Sequence, residues 1–127
     1  MIEKLLTPEF ILVEDDPLVL MDIRDMIVRE FGSLPLSLET VAGLGDLLAD
    51  IGQPVIVIAS CAMDELMAGV RHVASDVRHF SAVMLMDPPK EISDLPFNVT
   101  FLPSPFSSDL LMESITTACE HLRLTRT

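Results

Sequence analysis

Phe10-Ile11-Leu12-Val13-Glu14-Asp15-Asp16-Pro17 is the stretch on which the fold turns: four apolar residues run into three acids and a proline. The apolar run reads as a short buried strand, and the acids with the proline read as its turn into a helix. Asp16 suits the N-cap, where a carboxylate accepts the free amides of a first helical turn, and Pro17 suits the first helical position, which needs no donor. Leu20, Ile23, Ile27 and Phe31 then recur at steps of three and four, marking one buried helix face that Gly32 ends.

The same alternation continues outward. Leu34 to Thr40 alternates as a second strand, and Leu44 to Ile51 forms a short helix ending at Gly52. Val55, Ile56, Val57 and Ile58 are a β-branched run with no polar residue, the pattern of a central parallel strand covered on both faces. Met63 to Ala74 carries Leu66, Val70 and Val73 at helical spacing, with Arg71 and His72 on the wet side. Ala82 to Met86 is a fourth strand closed by Asp87, Pro88 and Pro89, and paired prolines forbid an immediate helix. Sixteen residues separate Asp87 from Ser104, so a helix between the fourth and fifth strands is shortened or missing. Val99 to Leu102 supplies the fifth strand; Pro103, Ser104 and Pro105 break it. Ser107 then caps a last helix through Leu122, with Leu111, Ile115, Ala118 and Leu122 as its buried stripe. The expectation is one domain over residues 1–127, with strands at about 9–14, 34–40, 54–59, 81–87 and 98–103. Strands alternating with helices predict an α/β fold with a parallel sheet and right-handed crossovers. The functional crevice of such a sheet lies beyond the carboxyl ends of its strands, where Glu14, Asp15, Ala59, Ser60, Asp87 and Ser104 fall.

Composition narrows the function. A chain of 127 residues supports one core and not two, and its apolar runs are too brief to span a bilayer. Residues 1–10 have neither the basic start nor the apolar stretch of a secretion signal, so a cytoplasmic address is expected. Cys61 and Cys119 lie far apart with no ligand-type spacing and read as reduced thiols. Twenty acidic against eight basic residues give a net charge of -12, which argues against nucleic-acid binding and suits either solubility or a basic partner surface. His72, His79 and His121 have no catalytic or ligand spacing, and the eight methionines suit adaptable core packing.

Ile11-Leu12-Val13-Glu14-Asp15-Asp16-Pro17 resembles the first strand and acidic turn of response-regulator receiver domains, the CheY-like superfamily, and Phe101-Leu102-Pro103-Ser104-Pro105-Phe106 is similar to their last strand and proline turn. The resemblance covers nearly the whole chain. It implies a flavodoxin-like (βα)5 architecture, a doubly wound five-stranded parallel sheet in a three-layer α/β/α sandwich. In that family two acids after the first strand help hold magnesium, and Glu14 and Asp15 match them. The family's phosphoacceptor aspartate at the end of the third strand falls here on Ala59, or on Ser60 if the register slips by one. Its switch threonine or serine aligns with Asp87 and its lysine with Ser104. Phe101 takes the place of its aromatic switch, and Ser104-Pro105 that of its cis-proline turn.

The departures fall on the chemistry. Phosphoryl transfer needs an attacking carboxylate, a divalent cation and a fixed positive charge. Alanine cannot attack, and a serine hydroxyl needs a general base. The resemblance therefore implies a degenerate receiver of two-component phosphorelay signalling: not an enzyme, with no cofactor beyond weak magnesium at Glu14 and Asp15. Glu14, Asp15 and Asp87 are expected to converge without a cation beside them. The leading expectation is a stand-alone docking module whose partner is a histidine kinase, a phosphotransfer protein, another regulator or a second copy. One rival is a receiver phosphorylated on Ser60, Asp64 or Asp87; another is a small-ligand sensor in the same crevice. Asp16 reads as a helix cap and not a metal ligand. Asp87 reads equally as a functional acid and as a turn former before two prolines.

Overall fold

The computed structural model describes residues 8–51, 54–70, 80–90, 97–103 and 105–126, with side chains as far as Leu122. Their elements run β1 (Glu9–Val13), α1 (Pro17–Phe31), β2 (Leu36–Leu38), α2 (Leu44–Asp50), β3 (Val55–Ala59), α3 (Met63–Val70), β4 (Phe80–Met84), β5 (Asn98–Phe101) and α4 (Ser108–Arg126). The five strands form one parallel sheet in the order β2-β1-β3-β4-β5, the doubly wound arrangement expected. Among the described residues no helix is long and apolar enough to cross a membrane.

Side-chain alternation along the strands sends the two cores in opposite directions. Ile11, Val13, Val57, Ala59, Ala82 and Met84 pack towards Leu44 of α2 and Leu66 and Val70 of α3. Phe10, Leu12, Ile56, Ile58 and Val83 pack towards Ile23, Met26 and Ile27 of α1 and towards Leu111, Ile115, Ala118 and Leu122 of α4. Every residue of β3 is buried, as expected of a strand with helices on both faces. The helix ends follow their residues. The Asp16 carboxylate accepts from the amides of Leu18 and Val19, and Gly32, at φ 68°, closes α1 by donating to the Val28 carbonyl. Ser107 Oγ accepts from the Leu110 amide at the start of α4.

Several expected spans are shorter in the molecule. β2 keeps three residues, because an edge strand has only β1 to pair with and Pro35 before it lacks a donor. β4 ends at Met84 and not at Asp87: the Met86 amide turns back to the Met84 carbonyl at 2.9 Å, which bends the chain out of the sheet. β5 ends at Phe101, although the Leu102 amide still reaches the Met84 carbonyl before Pro103 stops the ladder. Between β4 and β5 the described residues, 85–90 and 97, contain no helix. Gly52, Arg71 to Ala74 and Ser104 lie outside the described residues.

Candidate functional site

At the carboxyl end of the sheet, β1 and β3 finish level, with Val13 opposite Ala59. The next residue of each strand, Glu14 and Ser60, therefore stands side by side on the α1 and α4 face. Ser60 Oγ donates to Glu14 Oε1 at 2.6 Å, and the Asp16 amide donates to Glu14 Oε2 at 3.0 Å. Glu14 is only 7% exposed, a buried carboxylate with one donor on each oxygen. Its own amide is held by the Leu38 carbonyl, and the Ser60 amide by the Val13 carbonyl, so both residues are fixed by sheet hydrogen bonds before their side chains meet.

Above this pair lies a crevice of about 360 Å³ between α1 and the start of α4. Val19, Ile23 and Met26 of α1 with Leu85 and Leu111 give it apolar walls; Asp22, Ser107 and Ser108 add polar groups beside Glu14 and Ser60. No lysine, arginine or histidine is among its described lining residues.

The sequence-based site is thus partly assembled and partly dispersed. Ser60, and not Ala59, faces the acidic turn; Ala59 is fully buried and points into the core of the other face. Asp15 and Asp87 are exposed, and Leu85 lines the crevice where the acid after β4 was expected. Of the three acids expected to converge, Glu14 lines the crevice and Asp15 and Asp87 do not. Among the described residues no three His, Cys, Asp or Glu side chains are grouped to hold a metal ion. The Ser60 hydroxyl and not a second carboxylate faces Glu14 from the end of β3, and Asp15 is exposed, so the described residues offer magnesium no grouped carboxylate set. Asp64 lies in the exposed first turn of α3, away from the crevice, where it accepts from the Glu65 amide. Phe101 is half-buried against the α2 and α3 core. The Ser104-Pro105 bond falls outside the described residues, with exposed Pro105 just inside them. Sequence reading missed Asp22, Phe106 and Ser108 as lining residues. Asp22 lay within reach of it, since it shares the helical face of Val19, Ile23 and Met26.

No protein-family model and no curated protein sequence matches the chain. Solved structures do. A CheY-like response regulator receiver domain protein from Methanospirillum hungatei JF-1 superposes with a TM-score of 0.65 at 17% identity, covering 94% of this chain and 97% of that one. The chain has a CheY-like receiver fold. SdrG from Sphingomonas melonis Fr1, known from a solution structure, is similar at a TM-score of 0.53 and 21% identity, covering 91% of this chain and 95% of that one. The lysine decarboxylase LdcF of Francisella novicida contains a similar fold, with a TM-score of 0.64 and 14% identity over 92% of this chain, which spans only 18% of the decarboxylase. At these identities the likeness is one of fold, and the receiver-like fold places the Glu14–Ser60 pair at the carboxyl ends of its strands.

Proposed function

We propose that this receiver-like domain of two-component signalling acts in the cytoplasm as a protein-docking module that works without taking up phosphate. One observation carries the reading: the side chain facing the acidic turn from the end of β3 is the Ser60 hydroxyl, and it is spent on a hydrogen bond to buried Glu14. No carboxylate stands there to attack a phosphoryl donor, and no described cation lines the crevice to share the developing charge. Exposed Leu18 and Leu110 beside the crevice suit a protein surface, whether that of a histidine kinase, a phosphotransfer protein, another regulator or a second copy.

A second reading has one observation in its favour. The Glu14 carboxylate sits 2.6 Å from Ser60 Oγ, the place of a general base. In that reaction the Ser60 oxygen bonds to phosphorus, the donor's phosphorus–oxygen bond breaks and the proton passes to Glu14. The product would set a phosphate against Glu14 and Asp22 with no described lysine or arginine lining the crevice, which ranks this reading second. Incubation with acetyl phosphate and magnesium, followed by intact mass, tests both. The docking reading expects an unchanged mass. An acid-stable phosphate abolished by Ser60→Ala supports the second reading, and an acid-labile one overturns both.

A further inference from the structure

We propose that the crevice between α1 and α4 receives a lysine or arginine side chain carried on an apolar segment of a partner protein. This rests on the docking reading and names the chemistry of the partner. The crevice has the two surfaces such a side chain needs. Its apolar walls, among them Val19, Ile23 and Leu111, suit a methylene stem, and its polar end holds Glu14 with Asp22 nearby. A carboxylate offers about four lone-pair sites, and Ser60 and the Asp16 amide occupy two of those on Glu14, so the buried acid keeps acceptor capacity for an incoming cation. No described basic residue of the chain lines the crevice to supply that cation.

The rim points to the same occupant. Leu18 stands one helical turn before lining residue Asp22 and is 69% exposed; Leu110 stands one turn after lining residue Ser107 and is 47% exposed. Leucines flanking an acid-floored cleft match a segment with apolar residues on either side of one positive charge. A net charge of -12 draws such a segment in and repels acidic peptides, phosphorylated segments and nucleic acid. A divalent cation is the poorer occupant, for want of a third grouped ligand among the described residues.

The test uses the full chain, labelled for NMR and titrated with a synthetic helical peptide of leucine, alanine and lysine, and with its counterpart carrying glutamate for lysine. Only the lysine peptide is expected to bind, shifting the amides of Val19, Ile23, Ser60 and Leu111. Asp22→Lys and Leu110→Asp, both at exposed positions, are expected to weaken binding about fivefold or more. Asp50→Lys makes the same charge change on α2 and is expected to leave binding nearly unaltered. Equal binding of the glutamate peptide, shifts on another face, equal weakening by Asp50→Lys, or no binding at all overturns the inference. Phosphate uptake in the mass experiment overturns the docking reading itself, whereas any of these adverse peptide results with the mass unchanged overturns the choice of partner alone.

Discussion

The Glu14–Ser60 bond joins two strands through a charged acceptor, so its removal is expected to be felt in stability. Ser60→Ala leaves buried Glu14 with one donor fewer and is expected to cost about 1–2 kcal/mol, read as a lower urea midpoint at unchanged slope. Asp16→Ala removes the acceptor for the Leu18 and Val19 amides and is expected to cost about 1 kcal/mol, most of which Asp16→Asn restores. Burial, with Glu65 and Asp64 adding to it, pushes the Cys61 thiol up from 9.0 to about 11. A thiol raised in the folded state favours folding below its unfolded value, and that contribution fades as pH climbs from 9.0 towards about 11. Alkylation of folded Cys61 is therefore expected to be slow at pH 8 and to rise up to about pH 11, with Glu65→Gln bringing the rise to lower pH. At this scale the sequence left Ala59 and Ser60 both open, since a one-residue slip turns a side chain to the opposite face and composition cannot fix it. The pairing of Val13 with Ala59 puts Ser60 beside Glu14 and turns Ala59 to the other face.

Elements with a strong period were legible and elements shaped by tertiary contacts were not. α1 could be read from both ends, Asp16-Pro17 at one and Gly32 at the other, and β3 from its unbroken β-branched run. β4 was read too long because Leu85 and Met86 are as apolar as the strand before them; only the return bond from the Met86 amide to the Met84 carbonyl marks its end, and no residue type announces that bond. That misreading carried Asp87 into a site it does not enter. α3 holds a constraint that sequence hides as well. A Cβ on Gly69 would lie 3.1 Å from Val41 Cβ and 3.2 Å from the Val41 carbonyl oxygen, so the helix and the turn before α2 approach through the missing side chain. Gly69→Ala is expected to lower stability by about 1–3 kcal/mol in chemical denaturation, whereas the same change at a tolerant helical glycine would raise it.

For the molecule as a whole, the parallel α/β architecture was legible because it rests on the order of elements and not on any one boundary. The site was legible only where it depends on strand ends: Glu14 and Ser60 follow from β1 and β3, while Asp22 and Ser108 enter through the packing of α1 against the start of α4. The excess of acid acts at this scale too. Self-repulsion at a charge of -12 opposes compaction, so the melting temperature is expected to climb as sodium chloride is added from low ionic strength, by screening alone. β3 lies between β1 and β4, with all five of its residues shielded from solvent by helices above and below. Its amides should exchange with deuterium only when the entire domain opens, whereas those of edge strand β2 should exchange by local fraying. The Ser60 end of the crevice is thus anchored to the strand expected to exchange most slowly among those described, and the partner proposed above would meet a surface already set before it arrives.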